Sequence, residues 1–172
     1  MTRNTKAFTI IELMITLFVA SIIMALATPS FLSMIEKSRI RTTTEDLVDL
    51  LRISRLTAVE QRNPVKVCGS SDQSTCDESW GTSIIAIKVG QNGAGDEILA
   101  KLNVNANVSV SKNNMNSSEI DFTSNGWIPG DPATFTICST GDSRDYVNQV
   151  VIAMSGKVRK SSASDATNCP TL

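Results

Sequence analysis

The chain has 172 residues, with 16 Lys and Arg against 17 Asp and Glu, a formal net charge of -1, and no histidine. That balance lacks the global basic field that draws a protein to nucleic acid, and the missing histidine removes the usual general base of a serine or cysteine mechanism. A hydrophobic fraction of 41% permits one packed domain besides an apolar N-terminal segment.

The first element is the stretch from Phe8 to Thr28, FTIIELMITLFVASIIMALAT, a near-continuous apolar run in which only Glu12 is charged. As a helix, the roughly 20 residues from Phe8 to Ala27 reach about 30 Å, the thickness of a bilayer's hydrocarbon core. A secretory signal peptide is disfavoured because the run is long and no A-x-A-like site closes it, Ala25-Leu26-Ala27 being the nearest approach. Glu12 marks a functional position, since an acid near the bilayer centre costs about 2.5 to 3.5 kcal/mol on insertion scales. Arg3 and Lys6 precede the run and Lys37, Arg39 and Arg41 follow it, so charge asymmetry alone does not orient it.

From Ser30 to about Arg62 the pattern becomes amphipathic, with Ile40, Leu47, Leu50, Leu51 and Ala58 near helical spacing. The same helix is expected to continue. Its small positions Thr44, Ser54 and Ala58 allow another layer close approach, while Arg52, Arg55 and Glu60 stay solvated. Asn63-Pro64 is the expected stop, because a residue before proline is biased away from helix.

Beyond Pro64 come short β-like runs between turns rich in Gly, Asn, Asp and Ser: Val65 to Cys68, Ser83 to Val89, Glu97 to Leu102, Val104 to Val110, Glu119 to Phe122, Thr134 to Cys138 and Gln149 to Met154. One long helix followed by many strands predicts an α+β fold, the amphipathic half of the helix laid on an antiparallel sheet. Trp80 and Trp127 each precede an apolar run and are expected in the core or at a sheet edge.

Four cysteines, Cys68, Cys76, Cys138 and Cys169, allow three pairings into two disulfides. With no Cys-x-x-Cys and no histidine, structural disulfides in an oxidising compartment are favoured over zinc. The favoured pairing joins Cys68 to Cys76 across a short loop and Cys138 to Cys169 to tether a Ser-rich tail. The glycines of GQNGAGDE lack the Lys-Ser or Lys-Thr of a phosphate loop, and Asn92, Asp96 and Glu97 read as a hairpin loop rather than a calcium site. No catalytic residue, metal or cofactor is expected.

MTRNTKA followed by FTIIEL resembles the leader and start of a type IV prepilin. The resemblance implies that prepilin peptidase cuts between Ala7 and Phe8 and that the new amino group is methylated, so the helix is kept; Ala7 stands where the family usually has Gly. It also implies that Glu12 pairs with the α-amino group of a neighbouring subunit in a filament, and Pro29 falls where pilins carry a helix-disrupting proline. Removing Arg3 and Lys6 with the leader makes the chain more acidic.

QRNPVKVCGSSDQSTCDESWGTSIIAIKV, IDFTSNGW, FTICSTGDSRDYVNQVVIAMSGKVRK and the terminal cysteine are similar to the GspH/FimT (FimU-like) family of minor pilins and pseudopilins. That resemblance implies residues 1–7 as leader, 8–28 as transmembrane and filament-core helix, 29–63 as amphipathic continuation and 64–172 as a β-rich periplasmic domain. It implies a single-pass protein of the bacterial inner membrane whose partners are prepilin peptidase and other major and minor pilins. The expected function is that of a minor pilin helping to initiate a type IV pilus at or near its tip, with a minor pseudopilin of type II secretion, or a DNA-binding minor pilin for natural transformation, as alternatives. Some FimT-like members bind DNA through a C-terminal Gly-Arg-x-Arg element. Here Lys157 replaces the first arginine, losing its bidentate fork, so the candidate phosphate contacts are Lys157, Arg159 and Lys160, with Arg144 a further addition.

Overall fold

The computed structural model describes residues 8–90, 95–113, 118–130, 132–140, 146–162 and 169, apart from the side chains of 25–30 and 162. The chain divides into two compact units, Met1–Ile35 and Glu36–Leu172. One helix, α1 (Ile10–Glu60), runs through Pro29 without interruption, although proline removes an amide donor there. The eight strands are β1 (Val65–Ser70), β2 (Ser83–Lys88), β3 (Glu97–Asn103), β4 (Val108–Asn113), β5 (Ile120–Phe122), β6 (Ala133–Ser139), β7 (Val147–Ile152) and β8 (Val158–Ser162).

In the second unit α1 behaves as its periodicity requires. Ile40, Leu47, Leu50, Leu51 and Ala58 are buried, while Arg52, Arg55 and Glu60 remain exposed. Thr44 and Ser54 are buried too, and each satisfies its hydroxyl within the helix by donating to the carbonyl four residues back, Ile40 at 2.6 Å and Leu50 at 2.7 Å. Small side chains that need no outside donor or acceptor can therefore sit at the sheet contact. The helix ends at Glu60 rather than continuing to Arg62, which has φ 51° and turns the chain toward β1 in the left-handed conformation.

The strands form two antiparallel four-stranded sheets, ordered β3-β2-β1-β5 and β4-β6-β7-β8. One continuous core joins α1 to both: Leu47, Leu51, Val67, Phe122, Phe135 and Ile152 belong to it. Trp80 packs in this core with its ring 5.2 Å from Phe135. Trp127 does not; its backbone closes a turn with Thr123, and its side chain is 62% exposed. A bulge between Ala86 and Ile87 interrupts the β2–β3 register. Four strand starts differ from the predicted runs: β5 and β6 by one residue, β7 by two, beginning at Val147, and β4 by four, beginning at Val108 after a turn in which the Val108 amide donates to the Asn105 carbonyl. β8 was absent from the predicted runs because its polar composition hides a strand whose only described pairing is with β7.

A second small cluster lies off the main core, where Cys68 and its cross-strand partner Ile85, with Ile87, meet Cys76. The loop between β1 and β2 covers this face and is fastened by the Cys68–Cys76 disulfide, with Cα atoms 5.6 Å apart. Gly69 permits the fold-over, since a Cβ there would lie 2.5 Å from the Trp80 amide nitrogen. Cys138 and Cys169 form the other disulfide, with Cα atoms 6.0 Å apart. Inside the loop Asp72 accepts from the amides of Ser74 and Thr75 and from the hydroxyls of Thr75 and Ser70, led by the Thr75 amide, and is held far below the usual carboxylate range. Asp77 is held at about 2, chiefly by the Ser71 hydroxyl and then by Ser79.

Both acids have folded pKa values below their unfolded ones, so the stability they contribute is complete above the unfolded value of about 4 and is lost as pH falls toward 2. Asp121 works in the opposite sense, because burial raises its pKa and protonation relieves that burden. The unfolding midpoint of the full chain in detergent, followed by near-ultraviolet circular dichroism, is therefore expected to fall between pH 4 and 2 less steeply in Asp77→Asn than in the native chain. Parallel slopes would show that this carboxylate adds nothing.

Candidate assembly surfaces and the basic strand

In the first unit Thr9 caps the helix, its hydroxyl accepting from the Glu12 amide at 3.3 Å. Glu12 thus occupies the third helical position, where the T-x-x-E spacing of a capping box puts an acid and where the helix dipole favours negative charge. That spacing was legible in the sequence and adds a local reason for the acid. Thr16 and Ser21 donate to the carbonyls of Leu13 at 2.8 Å and Phe18 at 2.7 Å, so the hydroxyls among the apolar residues are satisfied without solvent. The large apolar side chains from Phe8 to Met24 are all exposed, Phe8 by 74% and Ile10 by 81%. Such a surface calls for lipid or for other apolar helices. Among the described residues no helix is long and apolar enough to cross a membrane. Ala7, on the leader side of the expected cut, lies outside the described residues.

The basic residues near the C-terminus are divided by the fold. β8 is an edge strand running antiparallel to α1, with Gly156 against Arg55 and Lys160 against Glu45. Four strand residues and ten helical residues cover similar distances, about 13 and 15 Å, which lets the two elements stay side by side. Val158 is buried and Lys160 reaches Glu45 at 3.4 Å, whereas Arg159 between them alternates to the other face and is exposed. Glu45 also binds Arg41 at 3.1 Å, and Arg41 first, then Lys160, holds its carboxyl below the usual range. Lys160 is therefore already engaged by a carboxylate. Lys157 is exposed, and Arg144 lies outside the described residues.

Lys157 instead joins Arg52 and Arg55, which the helical periodicity predicts on a solvated face. Arg52, Arg55, Leu56 and Val59 of α1 line a groove of about 570 Å³ with Asn125, Gly156 and Lys157. Arg55 holds it together: its Nε donates to the Gly126 carbonyl at 3.2 Å, across a sequence separation of 71. Gly126 and Gly156 have φ 73° and 74°, and a Cβ on Gly156 would strike the Gly126 carbonyl and the Arg55 side chain. No local pattern announces this meeting of two glycines and an arginine. Elsewhere Asn148 donates to Thr44 Oγ1 at 3.2 Å, a second polar link from sheet to helix.

A long N-terminal helix with an exposed apolar start, followed by a stretch buried under antiparallel sheets, defines a type IV pilin-like chain. Residues 2–28 match the family model described as Prokaryotic N-terminal methylation motif, and residues 43–156 match that described as Type II transport protein GspH. The chain belongs to the GspH family of pilin-like proteins. Its fold is shared by the type IV minor pilin FimU of Pseudomonas aeruginosa, strain PAO1, with a TM-score of 0.58 and 22% identity over 78% of this chain and 95% of that one. It is shared as well by the minor pseudopilin EpsH of the Vibrio cholerae Type 2 Secretion System, with a TM-score of 0.57 and 11% identity over 74% of this chain and 99% of that one. No curated protein sequence matches the chain.

Gly156→Ala is expected to cost about 1 to 3 kcal/mol, because it forces a Cβ into a left-handed, crowded position. Chemical denaturation of the full chain in detergent measures it, and a change below about 0.5 kcal/mol would show that the Gly126–Arg55–Gly156 contact relaxes freely.

Proposed function

We propose that this chain is a minor pilin that helps to initiate a type IV pilus at or near its tip. Members of its family are structural pilin subunits that assemble with other pilins into pili or pseudopili. The observation that carries the reading is the methylation motif leading into an apolar helix exposed along its described length from Phe8 to Met24. Such a surface is stored in the inner membrane before assembly and against neighbouring helices after it. Prepilin peptidase cuts between Ala7 and Phe8, and the globular unit, with its two disulfides, stands in the oxidising periplasm.

A second reading, a minor pseudopilin of type II secretion, is supported by the description of the matching family. Deletion separates the two: loss of surface pili with secretion intact is expected, and intact pili with failed exoprotein secretion would replace the first reading with the second. The DNA-binding reading rests on less, since Lys160 is paired to Glu45 and Lys157 and Arg159 are left as the described candidates.

Glu12 has two roles in this proposal, as the acid at the helix start and as the partner of a neighbour's new α-amino group. Glu12→Ala is expected to leave membrane insertion intact, because a costly charge is removed, and to lower recovery in sheared pili at least several-fold. Mass spectrometry of the extracted variant and native chains should find the same methylated Phe8 terminus in both. Normal recovery would remove the assembly role of Glu12, and an intact Met1 terminus in cells with active peptidase would reject the processing step.

A further inference from the structure

The helical anchor does not account for the groove between α1 and the start of β8. Its floor is apolar, with Leu56 and Val59 exposed by 56% and 44%, and its walls carry Arg52, Arg55 and Lys157. Among the described residues Arg52 pairs with Asp49, at 3.6 Å with both side chains largely in solvent, which leaves it available to a second carboxylate. Arg55 places its Nε on a backbone carbonyl, and among the described residues neither Arg55 nor Lys157 has a carboxylate within ion-pair reach. The adjoining wall is the edge strand β8, one side of which pairs with no described strand.

We propose that this groove docks an acidic, extended segment of another pilin subunit. Carboxylates of the segment pair with Arg52, Arg55 and Lys157, its apolar side chains cover Leu56 and Val59, and its backbone lies along the edge of β8 that pairs with no described strand. Three observations select this occupant. Cations on the walls demand negative charge, while the apolar floor demands hydrocarbon beside it. A nucleic-acid strand supplies the charge, but its phosphates leave the exposed Leu56 and Val59 uncovered, and among the described residues no aromatic side chain lines the groove for its bases to stack on. An anionic lipid supplies charge and hydrocarbon, but it has no backbone to set against the edge of β8, which pairs with no described strand and which an extended peptide matches. The inference rests on the chain being a filament subunit and adds the chemistry of its neighbour.

The test places a photo-crosslinking residue at Asn125 of the full chain, in cells that assemble the filament, and compares the native groove with Arg52→Glu/Lys157→Glu and with the milder Arg52→Gln. The expected result is an adduct with an acidic segment of another pilin, identified by mass spectrometry. Its yield should drop about tenfold or more on charge reversal and less in Arg52→Gln, with the unfolding midpoint unchanged. Replacing the mapped partner acid by Lys should restore the adduct to the reversed variant. Adducts that are sensitive to nuclease, that carry lipid, or that map to a segment without acids would overturn the proposal, as would a yield indifferent to charge reversal. Recovery in sheared filaments is scored in parallel: presence there without an adduct overturns the groove alone, whereas absence of the native chain overturns the assembly reading and the groove with it.

Discussion

The globular unit depends on one seam, the contact of α1 from Ile40 to Ala58 with the inner faces of two sheets. Leu47, Leu51 and Ala58 are fully withdrawn from water there, and Phe122, Phe135 and Ile152 meet them in the same core. Burying that many side chains is what offsets the entropy of ordering a chain half of whose loops are Gly, Ser, Asn and Asp. Polar groups at the seam are tolerated because each is satisfied at once: Ser54 within the helix, and Thr44 both within it and by Asn148 from β7.

Outside the seam, the same helix meets two other environments. Its first turns expose Phe8 to Met24 on all sides and satisfy Thr16 and Ser21 internally, a surface that water serves badly and an apolar surrounding serves well. On the flank of the globular unit it carries Arg52 and Arg55 into a groove closed by Lys157. The apolar start and the cationic groove thus lie on different stretches of one element.

Three ion pairs among the described residues join one element to another. Lys66 binds Glu119 at 2.6 Å across the β1–β5 pair, and Glu119 keeps its ammonium above the usual range. Lys88 pairs with Glu97 across β2 and β3, and Lys160 ties β8 to α1 through Glu45. Most of these pairs are partly or largely exposed, so their value lies more in register than in energy.

The sequence by itself determined the apolar start, the helix that follows, the burial of Ile40, Leu47, Leu50, Leu51 and Ala58, and the succession of the first seven strands, because these are local periodicities written every two or three to four residues. It also carried the T-x-x-E spacing from Thr9 to Glu12, and four cysteines with three pairings still open. Only the tertiary structure decided that Trp80 is buried while Trp127 faces solvent, that the β1–β2 loop folds over Cys68 and Ile85, and that the strands divide into two sheets. It alone split the basic segment, giving Lys160 to Glu45 and leaving Lys157 beside Arg52 and Arg55. The physical reason is distance along the chain: Arg55 and Gly126, 71 residues apart, or Glu45 and Lys160, 115 apart, meet only when a common core has folded, and no local pattern encodes the partner.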